Sequence, residues 1–236
     1  QVTLPTDFAM PPDGLNIRWP DLWYVQDDRI ELHKLDAARA FVRANKLDRV
    51  VIDGPKARLG IVSVGKSYLD VRQALDDLGI DEKMAADIGI RLYKVAMSWP
   101  LEPEGLKTFA RGLEEIVVVE EKRALLEPQI KEILYHMQEG ARPRVLGKSD
   151  ETGAAFLSPC RELQPSDVAR AIATRLKRFY DNSRIEERLG FLDAKDKALA
   201  ALNPSLERTP YFCSGCPHNT STKVPEGSRG LGGVGC

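Results

Sequence analysis

At residues 59–65 the chain reads Leu59-Gly60-Ile61-Val62-Ser63-Val64-Gly65, a short apolar run that predicts a strand buried on both faces. A helical pattern follows from Ser67 to Leu78 and stops at Gly79, a residue common just after a helix. A buried strand that leads through a glycine into an amphipathic helix is typical of the βαβ unit of a parallel sheet.

Strands and helices alternate on both sides of this unit. Further strands are predicted at residues 49–53, 90–95, 115–120 and 144–146. Further helices are predicted at residues 33–45, 104–113, 125–137, 165–180 and 185–202. Helices of this length between strands favour right-handed crossovers, so we expect an α/β fold with a parallel, doubly wound sheet.

Residues 60–67 match the phosphate-loop pattern G-x-x-x-x-G-K-S/T. In a phosphate loop the four variable residues form a turn after the strand, but here they predict the strand itself. We therefore interpret Gly65 as the strand–helix turn and Ser67 as the helix cap. Lys66 and residues 120–123 follow strands, at the sheet edge where such folds bind ligands, and we interpret them as loop charges or salt bridges.

The composition is that of an ordinary soluble globular protein. The chain has 236 residues, of which 43% are hydrophobic and 29% charged, and its formal net charge is -1. This balance gives no electrostatic argument for binding nucleic acid or an anionic membrane, and the apolar runs are too short to span a bilayer. We see no signal peptide, and four cysteines do not make a disulfide scaffold, so we expect a cytoplasmic protein.

Three of the 4 cysteines follow residue 212. Cys213 and Cys216 form a C-x-x-C pair, and Cys236 follows the turn sequence Gly233-Val234-Gly235. Thiolates at this spacing converge on one soft metal ion or cluster, and the glycines let backbone amides approach an inorganic sulfide or a phosphate. Cys160 has no cysteine close to it in sequence and is interpreted as a bystander.

Three thiolates leave a four-coordinate centre one ligand short, and three hypotheses stay open. A cysteine beyond Cys236 would complete a [4Fe-4S] cluster. His218 would instead complete a structural Cys3His zinc site. A dithiol that exchanges disulfides is the third, although Pro210 and Pro217 do not suit the strand–helix context that it needs.

The cysteine motif resembles a known family. It reads Arg208-Thr209-Pro210-Tyr211-Phe212-Cys213-Ser214-Gly215-Cys216-Pro217-His218-Asn219-Thr220-Ser221-Thr222, and with Gly233-Val234-Gly235-Cys236 it resembles the start of the thiamine-diphosphate domain of indolepyruvate:ferredoxin oxidoreductases, in their long fused bacterial form. Residues 58–71, 91–95 and 99–103 resemble the same enzymes, and the likeness runs over most of residues 11–236.

The resemblance implies an internal fragment of a longer enzyme. Residues 1–48 would be a linker and short helix, and residues 49–148 a domain like the C-terminal domain of transketolase. Residues 149–207 would be a helical connector, and residues 208–236 the start of the thiamine-diphosphate and iron–sulfur domain. We also expect contacts with other domains of the same polypeptide and a homodimer.

The family decarboxylates aryl 2-oxoacids such as indolepyruvate on thiamine diphosphate and reduces ferredoxin. The resemblance implies that Cys213, Cys216 and Cys236 bind a [4Fe-4S] cluster, and that His218 and Gly235 lie near the cofactor. No catalytic residue is assigned. Such enzymes also need a glutamate on the domain that binds the thiamine pyrimidine, expected before residue 1, and a Mg²⁺–diphosphate motif, expected after Cys236. Neither is in the sequence, so we expect these 236 residues alone to be inactive.

A different class of protein also agrees with the sequence. Residues 1–30 contain several prolines and read as an extended linker, in which Trp19, Trp23 and Tyr24 suit a docking surface. The alternative hypothesis is therefore a non-catalytic α/β interaction module that carries a structural zinc tail and docks a partner through these aromatic side chains.

Overall fold

The computed structural model describes residues 2–201 and 212–229. The chain divides into two compact units, the first running to Ala194 and the second beginning at Lys195. The predicted site residues Cys236 and Gly235 lie outside the described residues. The sheet and its helical layers belong to the first unit, whereas Cys213, Cys216 and His218 belong to the second.

Five strands form one sheet. They are β1 (Arg49–Ile52), β2 (Leu59–Val64), β3 (Ile90–Val95), β4 (Glu115–Val119) and β5 (Arg144–Leu146). Their order is β1-β3-β2-β4-β5, and all neighbouring pairs are parallel except β1 with β3. The expectation of a wholly parallel sheet is wrong at β1. Only residues 53–58 join β1 to β2, which is too short for a parallel crossover, so β1 runs in the opposite direction at the edge.

The described residues form helices before, between and after these strands. They are α1 (Trp23–Arg29), α2 (Leu35–Ala44), α3 (Lys66–Asp77), α4 (Glu82–Ile88), α5 (Pro103–Ala110), α6 (Leu126–Tyr135), α7 (Pro165–Leu176), α8 (Ser183–Ala200) and α9 (His218–Ser221). A π-helical segment, Ile30–Lys34, joins α1 to α2.

Helices cover both faces of the sheet because its strands alternate apolar side chains between the two faces. Ile61 packs with residues of α3 and α7 in one buried cluster. The next residue, Val62, packs with α5 and α6 in a second cluster, where Phe109 and Ile130 are buried. The prediction of an α/β fold with helices on both faces of a mainly parallel sheet is therefore confirmed.

Three local expectations are wrong. The linker predicted over residues 1–30 contains α1, in which buried Arg29 donates to the carbonyl of Gly14 at 2.9 Å and pairs with Asp21 at 3.3 Å. Helix α4 was not expected, because its seven residues are too few to show a helical period. Ser67 does not cap α3: Gly65 is the N-cap, with φ 56, and the Ser67 hydroxyl is buried without a hydrogen bond to any described residue.

Helix α7 belongs to the same core as the sheet. Its Val168 and Ile172 are buried in the cluster that contains Ile61. Arg175, also buried, donates from Nε to Oε2 of Glu115 at the start of β4, at 2.7 Å. Helix α7 is therefore packed within the first compact unit, which continues to Ala194.

Within the part of the chain that the structure describes, every helix is too short or too polar to cross a bilayer.

Gly54 is required by a close approach between two backbones. A Cβ at this position would overlap the carbonyl oxygen of Ala86 in α4. We expect Gly54→Ala to lower the free energy of unfolding by about 1–3 kcal/mol, because backbone rather than a flexible side chain must move. Gly190→Ala is the matched control: nothing lies within 4 Å of a Cβ there, so it should raise stability by about 0.5–1 kcal/mol. Urea denaturation measures both, and equal effects would contradict the packing argument.

The ion pairs of Glu151 should stabilise the fold by an amount that depends on pH. Its carboxylate pairs with Arg175 at 3.1 Å, Arg178 at 2.9 Å and Arg144 at 3.6 Å. The hydrogen bond from Arg175 is the main cause that lowers the pKa of Glu151 from 4.5 to about 2. A lowered folded-state pKa stabilises the fold above the unfolded pKa, and this stabilisation is lost as the pH falls from 4.5 to about 2.

We therefore expect Glu151→Gln to be less stable than the parent at neutral pH and to lose less stability on acidification through that window. Urea midpoints at several pH values measure this. Glu139→Gln is the control, because Glu139 forms no ion pair with any described residue, and it should follow the parent curve. Parallel curves for the parent and Glu151→Gln would show that the Glu151 contacts do not contribute.

Candidate functional site

The described C-x-x-C segment forms a tight turn. The backbone N–H of Cys216 donates to the carbonyl of Cys213 at 3.0 Å, and Gly215 takes the left-handed conformation, with φ 81, that such a turn needs. The side-chain amide of Asn219 donates to the same carbonyl at 3.0 Å. Both thiols are free and lie on one turn, with Cys213 exposed and Cys216 half-buried.

His218 begins α9 directly after this turn. Its Nδ1 lies 3.2 Å from Sγ of Cys216, and its ring stacks on Phe212 with the centroids 5.2 Å apart. A sulfur and a nitrogen bound to one tetrahedral zinc are about 3.5 Å apart, given the usual zinc–ligand distances. This contact agrees with a hydrogen bond between Cys216 and His218, and it also agrees with both side chains binding one metal ion.

The thiols of Cys213 and Cys216 and the imidazole of His218 are suitable ligands for a soft metal, but they do not form a complete ligand set. Thiols and imidazole are ligands of zinc and of iron–sulfur clusters. Among the described residues, however, no three His, Cys, Asp or Glu side chains are grouped closely enough to hold a metal ion. Cys213, Cys216 and His218 can supply part of a ligand set, and the structure leaves the cluster and zinc hypotheses open.

The first compact unit has its own candidate position, where β2 and β4 lie side by side. Helix α3 leaves β2 toward one face of the sheet, and α6 follows β4 on the opposite face. In open α/β sheets this divergence leaves a crevice at the carboxyl ends of the strands, where ligands commonly bind. Lys66 and residues 120–123 lie at this end, as the sequence predicts.

Lys66 is surrounded by oxygen atoms of its own chain. Its Nζ lies 2.9 Å from Glu162, 3.1 Å from Asp70 and 3.4 Å from Glu121, and it donates to the carbonyl of Leu163 at 2.9 Å. Burial alone would lower the pKa of Lys66, but the hydrogen bonds to Glu162 and Asp70 raise it well above its usual value. The interpretation of Lys66 as a salt-bridge partner is confirmed.

Glu120 has a structural role in the same crevice. Its buried carboxylate accepts hydrogen bonds from the backbone N–H groups of Leu125 and Leu126 at 2.8 Å each and of Glu127 at 3.1 Å, so it caps α6. Its own carbonyl accepts from Nζ of Lys148 at 2.6 Å. Lys66, Glu120 and Glu121 therefore connect the segments that border the crevice.

Residues 60–67, which match the phosphate-loop pattern, do not form a phosphate loop in the structure. Gly60 lies inside β2, and a Cβ there would lie 2.5 Å from Leu113 and 2.8 Å from Phe109. The four variable residues belong to the strand, so they cannot form a cradle of backbone amides. With Lys66 already paired, the interpretation of this segment as a strand and turn is confirmed.

Sequence reasoning missed two groups of residues. Glu162 and Leu163 reach Lys66 from a distant loop, and no motif marks them. Glu102, which caps α5 by accepting from Glu104 N and Gly105 N, also binds Nη1 of Arg43 at 2.8 Å. An acidic residue directly before Pro103 was a signal for that cap, but nothing local pointed to Arg43.

Residues 49–199 match the sequence model of the indolepyruvate oxidoreductase domain. The match covers more than half of the chain. The chain belongs to the indolepyruvate oxidoreductase domain family. The resemblance stated from the sequence is thereby confirmed at the level of the family.

Relatives of this indolepyruvate oxidoreductase domain carry the name indolepyruvate oxidoreductase subunit IorA. That of Pyrococcus abyssi is 28% identical over 173 residues, which are 72% of this chain and 23% of the relative. That of Methanothermobacter marburgensis is 27% identical over 188 residues, 79% of this chain and 26% of the relative. The chain thus spans about a quarter of the length of these relatives.

Two solved structures resemble the chain weakly. A split-gene transketolase, described as an inactive beta4 tetramer, gives a TM-score of 0.38 at 21% identity, over 56% of this chain and 42% of that chain. A 2-oxoglutarate:ferredoxin oxidoreductase from Magnetococcus marinus gives 0.40 at 14% identity, over 66% and 24%. These scores carry no argument about fold or function.

Replacing Lys66 should lower the free energy of unfolding of this indolepyruvate oxidoreductase domain. In Lys66→Met, the largely buried carboxylate of Asp70 keeps its charge but loses its cation. We expect the free energy of unfolding to fall, because the carboxylate of Asp70 is left without its partner. The loss should be only about 1–2 kcal/mol, since the side chain of Lys66 is partly exposed and solvent screens the pair. Adding Asp70→Asn should restore part of the loss, since it removes the unpaired charge.

Lys83→Met provides the control for this pair of variants. Lys83 is exposed on α4 and pairs with no described residue, so its replacement should leave the urea midpoint nearly unchanged. If Lys66→Met resembled Lys83→Met, the crevice network would not contribute to stability.

Proposed function

We propose that this chain is part of an oxidoreductase that oxidatively decarboxylates aryl 2-oxoacids of the indolepyruvate type and passes the electrons to ferredoxin. The observation that carries the proposal is the match of residues 49–199 to the indolepyruvate oxidoreductase domain. The names of the relatives agree with it. Because the chain spans about a quarter of those relatives, the activity is proposed for the longer protein rather than for these residues alone.

Cys213, Cys216 and Cys236 are the proposed ligands of a [4Fe-4S] cluster. The turn that joins Cys213 to Cys216 supports this assignment, because it places two free thiols on one loop and leaves Cys213 open to solvent. A bound cluster would accept electrons one at a time, which suits transfer to ferredoxin. The fourth ligand is expected from the longer protein.

Thiamine diphosphate with Mg²⁺ is the proposed organic cofactor, and it would supply an electron sink for decarboxylation. His218 and Gly235 are proposed to lie near it. The imidazole of His218 is oriented by Phe212, which stacks on it, and by the contact with Sγ of Cys216. No residue of the chain is proposed as a catalytic acid or base.

The α/β unit is proposed to act as a structural domain like the C-terminal domain of transketolase. Lys66 in its crevice is paired with Glu121 and Glu162, which suits a role in holding other domains of the polypeptide in register, within a homodimer. The domain boundaries at residues 48, 148 and 207 and a cytoplasmic location remain part of this proposal.

One observation favours a second candidate, a structural zinc site in a non-catalytic interaction module. The 3.2 Å contact between Cys216 and His218 is close to the separation expected for two ligands of one zinc ion. In that case His218 would be a ligand, and Trp19, which is 94% exposed, and Trp23, 77% exposed, would contribute to docking.

The longer protein that contains this chain distinguishes the two candidates. We expect the purified protein to be brown, with iron and acid-labile sulfide, and to reduce ferredoxin with indolepyruvate. Cys213→Ser and Cys216→Ser should each lower the cluster content and the ferredoxin reduction at least tenfold, since a lost thiolate ligand destabilises the cluster.

Cys160→Ser is the matched control, because Cys160 is exposed and lies apart from the C-x-x-C turn in sequence. It should keep the iron, the sulfide and the activity of the parent. A colourless protein that holds zinc and loses it in His218→Ala would contradict the redox proposal and support the structural zinc site.

A further inference from the structure

A cleft of about 580 Å³ lies between α2, β1 and α5. Its apolar wall includes Val42, Val50 and Phe109. The volume falls within the range of small-molecule sites, which are mostly apolar with a few polar groups at defined places. Neither the proposed activity nor the family assignment gives this cleft a role.

Tyr93 brings a hydroxyl without a partner to the floor of the cleft. It lies on β3 directly opposite Val50 of β1, so both side chains lie on the sheet face that α5 covers. Its ring packs on Phe109 with the centroids 4.9 Å apart, and the residue is only 2% exposed. Within residues 2–201 and 212–229 the hydroxyl forms no hydrogen bond. A polar group that is buried without a partner destabilises the free protein, so a ligand that supplies the partner is favoured.

Asp48, which also lines the cleft, has a second polar atom without a partner. Its Oδ1 accepts from the backbone N–H groups of Ala96 at 2.7 Å and Met97 at 3.3 Å. Its Oδ2 is buried and forms no hydrogen bond with any described residue. This oxygen therefore lacks the donor that a buried carboxylate oxygen normally has.

The two unpartnered groups lie at the same end of the cleft as Glu102. A Cβ at Gly105 would lie 2.7 Å from the hydroxyl oxygen of Tyr93 and 2.9 Å from Oε2 of Glu102, so these two oxygens are close together. Burial is the main cause that raises the pKa of Tyr93, and the charges of Asp48 and Glu102 raise it further. Both carboxylates therefore lie near the hydroxyl.

The cations of the cleft do not balance the charge of Asp48. Arg43 donates from Nη1 to Glu102 at 2.8 Å, and Arg91 donates from Nε to Asp53 at 2.6 Å. Within the described ranges, no Lys, Arg or His forms an ion pair with Asp48. A buried carboxylate without a cation favours a ligand that brings one.

Lys46 and Arg111 also line the cleft, but both are exposed at its rim. Water and salt screen such exposed charges much more than buried ones. At the buried end, burial is the main cause that raises the pKa of Asp48, and the negative charge of Glu102 raises it further. The buried end therefore differs from the rim, because excess negative charge is concentrated there.

We propose that this cleft binds a small organic cation, an ammonium group carried on an apolar body. The ammonium donates to Oδ2 of Asp48 and to the hydroxyl oxygen of Tyr93. Since an ammonium has three N–H donors, one group satisfies both oxygens. The apolar body lies along the wall that includes Val42 and Val50, where its burial adds to the affinity.

Calorimetric titration of the purified protein with phenethylamine, an ammonium on a single-ring body, tests the proposal. We expect saturable binding with a Kd on the order of 1 mM or tighter. Phenethyl alcohol keeps the body but replaces the ammonium by a neutral hydroxyl, and hydrocinnamate replaces it by a carboxylate. Each should bind at least about tenfold more weakly, because the charge-assisted contact with Asp48 is lost.

Variants at the buried end supply the second arm. Asp48→Asn keeps an oxygen for the N–H groups of Ala96 and Met97 but removes the charge, so it should weaken phenethylamine binding at least about tenfold. Tyr93→Phe removes only the hydroxyl and should weaken binding about fivefold. Asp76→Asn is the matched control and should bind like the parent, since Asp76 is exposed on α3 and pairs with no described residue.

Urea midpoints show whether the variants fold. Asp48→Asn should not lower the midpoint, because it removes an unpaired buried charge.

Several results would overturn the proposal. They are the absence of saturable binding of phenethylamine, equal affinity for phenethylamine and phenethyl alcohol, and Asp48→Asn binding like Asp76→Asn. Tighter binding of hydrocinnamate than of phenethylamine would also reject a cation site, and would show that the exposed charges of Lys46 and Arg111 determine what the cleft binds.

Discussion

Strand β2 is the constraint on which the first compact unit depends. It pairs in parallel with β3 on one side and β4 on the other, so none of its edges faces water. Its side chains are buried on both faces, and a Cβ at Gly60 would meet Leu113 and Phe109. Because both faces of β2 need an apolar cover, helices must pack on both sides, and the chain must change sides between β3 and β4. The crevice at the carboxyl ends of β2 and β4 is a direct result of that change.

In this protein, side chains of the chain itself pair across the crevice. Lys66 pairs with acidic residues from α3, from the end of β4 and from the loop before α7, so one ammonium joins three segments. Glu120 caps α6 rather than facing a ligand. This pairing links the loops that border the crevice, which suits the structural role that we propose for the unit.

The parts of the fold that were predicted correctly are those with a strong local signal. Strands β2 and β4 are mostly apolar over six and five residues, β3 mixes apolar residues with Arg91 and Lys94, and α3 repeats its apolar residues over three turns. The direction of β1 was not predictable from its four residues, because it depends on the length of the connection to β2 and on pairing with β3. Helix α4 is too short for a period, and its capping by Asp81 was the one available signal.

The two candidate sites, the C-x-x-C turn and the crevice at Lys66, also differ in how far the sequence predicts them. Cys213 and Cys216 are close in sequence, and the structure places both on one turn. Their convergence on a metal or cluster stays a prediction. Lys66 instead meets Glu162 and Leu163, which come from a loop far along the chain, and only the packing of that loop brings them to the crevice. No sequence window contains that contact, so it could not be predicted.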